Sequence, residues 1–345
     1  MPTIHSFTEA LGLSSDGIRH LLLGNGFSIA CRPDIFQYGK LFEQADFQGR
    51  ERVQNVFGGL GTTDFERVIR VLRDFSAVAP FYYPRDASGH QAASGDAAAL
   101  REMLVRAIAT SHPARPGDLK PDEYHAAKTF LSHFDRIFAL NYDLLLYWTL
   151  MQSEIEPDVR CDDGFRKPED DPESSYVTWE PDNSYEQNVY YLHGALHLFD
   201  SGPELQKYSW IGAGIPLIDQ IRAALEENKF PVFVSEGTSD EKLTRINHSA
   251  YLSKARRALL SIGGGKTASS LFIHGHSLAE NDEHIIQAIE HSKISRLFVS
   301  LHGAPDIPGN KVIIARAGKM SANRPARHPL ALHYYDAASA DVWGH

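Results

Sequence analysis

The chain alternates short uninterrupted apolar runs with longer amphipathic stretches, and that alternation predicts a parallel sheet wrapped by helices. Leu21-Leu22-Leu23 runs straight into Gly24-Asn25-Gly26-Phe27-Ser28, the pattern of a strand buried on both faces that stops at a tight glycine turn. Similar runs at Arg136 to Leu140, Val189 to Leu192, Phe230 to Val234, Leu271 to Ile273, Arg296 to Leu301, Lys311 to Ile314 and Ala331 to Tyr335 predict further strands. Helical spacing occupies Phe65 to Leu72, Leu100 to Ile108, Leu144 to Met151 and Asn281 to His291, and the capping box Thr238-x-x-Glu241 opens a helix expected to reach Leu260. Residues 84–98 and 112–122 look like loops, and 156–187 like a polar loop or irregular ribbon. Strands alternating with helices predict an α/β fold, a doubly wound Rossmann-like parallel sheet. Residues 1–48 start that core, 49–135 form a helical insertion, and 136–345 complete the core.

Composition narrows the partners more than the fold. A net charge of −10 and a pI near 5.9 give no bulk attraction to phosphate backbones, so neither nucleic acid nor an anionic membrane is an expected partner. No apolar run reaches the ~20 residues that cross a bilayer, and the amino terminus lacks the order of a secretory signal, so a cytoplasmic protein is expected. Cys31 and Cys161 are the only cysteines. They cannot build a four-cysteine or paired CxxC zinc site, and no Glu completes an HExxH pattern around His193 and His197, so no metal is expected.

In an open parallel sheet, ligands bind beyond the carboxyl ends of the strands, which singles out four clusters. Gly24-x-Gly26 lets backbone approach a pyrophosphate, and the following helix would offer amides to the same anion. Asn141, after the strand at 136–140, is an amide able to hold a sugar hydroxyl or a water, or simply to cap a helix. Asp143 suits the first turn of that helix. His193-Gly194 ends another strand and suits a general base, and Gly275-His276-Ser277 ends a fourth. Gly263-Gly264-Gly265-Lys266-Thr267 fails as a P-loop, because the glycine required five residues before Gly265 is Leu260.

In order, Gly24-Asn25-Gly26-Phe27-Ser28, Asn141-Tyr142-Asp143, His193-Gly194 and Gly275-His276-Ser277 resemble the successive motifs of the sirtuin family. Asn-Tyr-Asp, and Gly-x-Ser followed by Asp282, look more like the sirtuin-like NAD hydrolases of bacterial anti-phage defence than like protein deacylases. The resemblance implies that Gly24, Asn25, Gly26, Phe27, Ser28, Gly275, Ser277 and Asp282 bind NAD, and that Asp143 binds the nicotinamide carboxamide. It further implies that Asn141 positions a water or the ribose and that His193 is the general base. Between His193 and Phe230, where sirtuins carry a four-cysteine zinc module, this chain has no cysteine, which points away from an acyl-lysine substrate. Leu140 replaces the family's Gln, and Phe230 to Gly237 loosely resembles its substrate strand. The implied function is an NAD glycohydrolase, with a protein deacylase or ADP-ribosyltransferase, or a non-catalytic NAD or ADP-ribose sensor, as alternatives. A homo-oligomer and a HerA-type ATPase partner are implied in the same way. Nicotinamide is a cationic leaving group, so such an enzyme chiefly binds both ends of NAD and holds a water beneath the ribose, with no metal required.

Overall fold

The computed structural model describes residues 2–344 apart from 84–86, 172, 183, 203, 210–213 and 235–238. Among these residues, seven strands form an all-parallel sheet: β1 (Ile4–His5), β2 (Ile18–Leu23), β3 (Arg136–Ala139), β6 (Val189–Tyr191), β10 (Ser269–His274), β11 (Arg296–Leu301) and β12 (Ala331–Asp336). Their order is β1-β12-β11-β10-β2-β3-β6. From β2 the chain builds outward through β3 to β6, and then returns to the other side of β2 with β10, so the direction of winding reverses between β2 and β10. In sheets of this kind the crevice at that reversal is the usual ligand site.

Strand alternation explains why β2 ends in an unbroken apolar run, Leu21-Leu22-Leu23. Leu21 and Leu23 join the hydrophobic cluster on one face of the sheet, and Leu22 joins that on the other. All three are fully buried, each contributing about 1.5–3 kcal/mol of apolar burial. One face carries α12 (Ala250–Ser261), α13 (Glu283–His291) and α14 (Pro308–Ala322). The other carries α1 (Phe7–Gly12), the short α2 (Gly26–Cys31), α3 (Pro33–Phe36) and α4 (Tyr38–Gln44), and the helical insertion. The insertion comprises α5 (Glu51–Leu60), α6 (Phe65–Tyr82), α7 (Ala87–Ser111) and α8 (Pro121–Leu131). Its Phe57, Phe65, Ile69 and Leu104 lie in the same continuous core as Leu21, Leu23 and Phe272.

Four expectations need correction. The chain holds a second sheet, antiparallel, of β4 (Phe165–Arg166), β5 (Tyr176–Trp179), β7 (Gly194–Asp200), β8 (Leu205–Tyr208) and β9 (Pro231–Phe233), in the order β4-β5-β8-β7-β9. The Phe230 to Val234 run is a strand, but of this sheet, and 156–187 contributes two of its strands. Lys311 to Ile314 lies inside α14, which opens with Pro308 in its first turn, where the fixed φ of proline suits a helix. Residues 87–98 are helical rather than loop: despite Gly89 and Gly95, Ala93, Ala97, Leu100 and Leu104 recur at helical spacing and are buried. The expected helix to Leu260 is two, α11 (Ser239–His248) and α12, divided at Ser249, whose side chain caps α12 by accepting from the Leu252 amide. Thr238 of the predicted capping box lies outside the described residues. The remaining helices are α9 (Leu145–Leu150) and α10 (Leu217–Glu226).

Candidate functional site

The four clusters predicted at strand ends fall at the carboxyl ends of four adjacent strands, β10, β2, β3 and β6. Ala139 pairs with Tyr191, and Asn141 and His193 each lie two residues beyond that pair, past the ends of neighbouring strands. Leu23 pairs with both His274 and Ala139, which likewise brings the Gly24 and Gly275 turns side by side.

Those two turns touch each other. A Cβ on Gly26 would lie 2.5 Å from Gly275 Cα, and one on Gly24 would lie 2.6 Å from Gly275 O. Gly275 itself has φ +70, a conformation that favours glycine. The close approach predicted for a pyrophosphate is therefore made by the chain's own backbone. The amides of Gly26, Phe27 and Ser28 donate to the carbonyls of Gly275, Gly24 and Asn25 at 2.8, 3.0 and 3.0 Å, so the first turn of α2 offers no free donor there in this conformation. Asn25 donates its side-chain amide to Phe36 O at 3.1 Å, which ties the turn to α3. Phe27 is a core residue: it is fully buried and packs on the Trp343 ring, whose Nε1 donates to its carbonyl at 2.8 Å.

Ser28, in α2, meets Asn141 and Asp143, in the turn after β3, as one buried group. Asn141 Nδ2 donates to Ser28 Oγ at 2.6 Å, and Ser28 Oγ donates to Asp143 Oδ2 at 2.5 Å. Asp143 Oδ1 also accepts from the Leu145 amide at 2.9 Å, the helix-start role considered for it. Asn141 Oδ1 is buried and has no hydrogen-bond partner among the described residues. His112, from the insertion, reaches the same turn and accepts from the Leu144 amide at 3.0 Å.

His193 stands where the chain leaves the parallel sheet for the antiparallel one. Gly194 makes that corner at φ +82, where a Cβ would lie 1.9 Å from Val232 O. The Tyr142 ring stacks on His193 with centroids 6.4 Å apart. His193 Nε2 faces His284 Nε2 at 3.0 Å and Asp282 Oδ1 at 3.9 Å. Asp282 belongs to a buried polar network. His276 Nε2 lies 3.1 Å from Asp282 Oδ2 while its Nδ1 accepts from the Leu278 amide, so its proton sits on Nε2. The fully buried Lys242 donates to Asp282 Oδ1 at 3.0 Å and to Glu66 Oε2 at 3.3 Å, and Asn281 Nδ2 donates to the same Glu66 oxygen at 2.5 Å. Ser277 is exposed at the rim.

Residues 21–343 match a family described as a domain of unknown function, DUF4917. The chain belongs to this family. No curated protein matches it significantly. The DUF4917 match spans the antiparallel sheet, the parallel sheet apart from β1 and the start of β2, the insertion and every residue of the polar group described above.

Burial governs the protonation states in this DUF4917 site. It holds His193 well below the ordinary imidazole range, outweighing the Asp282 charge, and brings His284 to about 4. Both rings are neutral at pH 7. Glu66 is pushed up to about 7 by burial, against the pull of Lys242. Burial also acts to raise Asp282, but the His276 hydrogen bond and the Lys242 charge override it and hold the carboxyl well below its usual range. A cleft of about 390 Å³ lined by Arg19, His133 and Asp135 opens at the opposite, amino-terminal ends of β2 and β3, remote from this chemistry.

Ser28, Asn141, Asp143, His193 and Asp282, all singled out from the sequence, lie together at the carboxyl end of the sheet. Sequence reasoning missed Glu66, His112, Lys242 and His284. Each lies in an ordinary amphipathic segment, and only folding brings it to partners far away in sequence.

Proposed function

We propose that this DUF4917 protein is an NAD glycohydrolase that breaks the bond between nicotinamide and ribose, releasing nicotinamide and ADP-ribose. The observation that supports this most is the Asn141 carboxamide: its nitrogen is committed to Ser28, its buried oxygen lacks a partner among the described residues, and it follows β3 as His193 follows the neighbouring β6. A buried acceptor left unpaired costs about 1–3 kcal/mol, a penalty removed when a water or a ribose hydroxyl donates to it. Nicotinamide departs readily from its cationic glycosidic bond, so the enzyme must chiefly hold a water at the ribose and take up its proton. Neutral His193 is the acceptor in this reading, and Asn141 holds the water. Asn141 and His193 are 5% and 3% exposed, so the turns that touch at Gly26 and Gly275 must part for the dinucleotide to enter.

That same contact favours a second reading, a non-catalytic NAD or ADP-ribose sensor whose ligand separates the two turns. A role in anti-phage defence, with self-association or a HerA-type ATPase partner, is part of the first proposal. Phe81 and Tyr82 at the end of α6, 85% and 75% exposed, support a contact surface on the insertion. Incubation with NAD, followed by assay of free nicotinamide with and without an acylated peptide, decides among the activities. Release without peptide supports the hydrolase, release only with peptide supports a deacylase, and binding without release supports the sensor.

A further inference from the structure

We propose that His193, His284 and Asp282 form a binding site for one divalent cation of the zinc class. One ligand atom from each of the three lies within 4.8 Å of the others. His193 comes from the end of β6, whereas Asp282 and His284 flank the first residue of α13. One turn therefore supplies two ligands against a third held by the sheet.

The geometry is close to that of a shared metal. Two imidazole nitrogens bound at about 2.0–2.1 Å to a tetrahedral zinc stand about 3.3–3.4 Å apart, and the two Nε2 atoms here are 3.0 Å apart. Two facing imidazole lone pairs can be bridged by one proton or by one metal ion. A carboxylate oxygen 3.9 Å from His193 Nε2 supplies the third ligand that a proton does not need. On metal binding, the bridging proton leaves Nε2 and the ring that carried it takes up a proton on its Nδ1, so both histidines bind as neutral imidazoles with no net proton released, and the fourth position goes to water.

The groups behind these ligands are those a metal site uses to orient them. Ser239 Oγ faces His284 Nδ1 at 3.3 Å, and His276 Nε2 holds the second Asp282 oxygen at 3.1 Å. Lys242 opposes a cation, since its ammonium sits 3.0 Å from Asp282 Oδ1. Its bond to Glu66 resolves that conflict, because a second carboxylate keeps the ammonium satisfied when Asp282 Oδ1 turns to the metal. The cation would occupy the His193 nitrogen nearest His284, which leaves His193 no nitrogen to take up a proton, so the metal-loaded site and the His193 base of the hydrolase reading are alternative states of the protein. The site itself does not depend on the hydrolase reading.

The test is titration of the metal-free full chain with Co(II), following the visible absorption of a tetrahedral site, with zinc affinity then read by displacement. One saturable equivalent is expected. His284→Gln and His193→Gln should each weaken it by more than the ~100-fold that loss of an orienting group can cost, and Ser239→Ala by about 10-fold. His197→Gln removes a buried histidine outside the trio, packed on Tyr147 and Tyr191, and should leave the affinity unchanged. Melting curves show which variants fold, and zinc should raise the melting temperature of the unmodified protein but not of His284→Gln. Absence of a saturable equivalent, or equal affinity in folded His284→Gln and the unmodified chain, overturns the proposal.

Discussion

Replacing Lys242 with Met tests whether the insertion is fastened to the core through the polar network. Lys242 is fully buried and is bonded to carboxylates 176 and 40 residues away in sequence, one on α6 and one just before α13. Removing the ammonium leaves Glu66 and Asp282 together without a countercharge. Breaking a buried pair by deleting one partner costs about 3–5 kcal/mol, and the lower end applies at pH 7 because Glu66 can protonate. Glu66 already titrates at about 7 rather than its ordinary 4.5. Without Lys242 its folded pKa rises further while its unfolded value stays put. A group raised in the folded state contributes stability that is fully present below the unfolded pKa and is lost as pH climbs through the folded one. The unmodified protein therefore stops losing this contribution near pH 7, whereas Lys242→Met goes on losing about 1.4 kcal/mol per pH unit above it. Urea unfolding at pH 7 and pH 8.5 should show a deficit of about 3 kcal/mol that grows by about 2 kcal/mol at the higher pH. Adding Glu66→Gln should abolish that growth. A deficit below about 1 kcal/mol, the scale of an exposed pair, or one that ignores pH, would refute the reasoning.

Gly26→Ala places a Cβ 2.5 Å from Gly275 Cα and should cost at least the ~1–3 kcal/mol of overpacking, whereas Gly58→Ala, on α5 with nothing within 4 Å, should gain about 0.5–1 kcal/mol; denaturant midpoints compare the two. Burial lowers His20, His274 and His284 to about 4, so the stability each contributes is present above about 6.5 and is lost as pH falls toward 4. Glu66 changes in the opposite sense between 4.5 and about 7 and offsets about one of the three, while His193 and His197, which burial holds well below the ordinary range, add to the loss, so urea unfolding should show at least about 2 kcal/mol less stability at pH 5.5 than at pH 6.5. Light scattering should find an oligomer at micromolar concentration that Phe81→Ser with Tyr82→Ser dissociates; a monomer with full nicotinamide release would remove self-association from the proposal.

The parallel sheet was legible because its strands are buried on both faces, which writes them as uninterrupted runs such as Leu21-Leu22-Leu23 and Leu271-Phe272-Ile273 between glycine turns. The antiparallel sheet was not, since two-residue β4 and three-residue β9 are too short to show a period, and the pairing of β7 with β9 is long-range. Val312-Ile313-Ile314 looks like strand because β-branched residues favour extended backbone, yet three residues cannot distinguish the two periods, and the proline at the start of α14 decides the matter. Asn141 and His193 were legible as polar residues ending apolar runs. Lys242, Glu66 and His284 were not, because a charged residue on an amphipathic helix signals solvent unless its partner is known, and those partners lie on other elements.

The central claim is that Asn141 and His193 act on NAD at the carboxyl ends of β3 and β6, and the direct measurement is nicotinamide release per folded molecule by Asn141→Ala and His193→Ala. The account predicts release by the unmodified chain, with each variant falling about 10²–10⁴-fold while keeping a cooperative melting transition and affinity for ADP-ribose. Variants that melt lower but release nicotinamide at the unmodified rate would contradict it, returning Asn141 to its bond with Ser28 and His193 to its corner between the sheets.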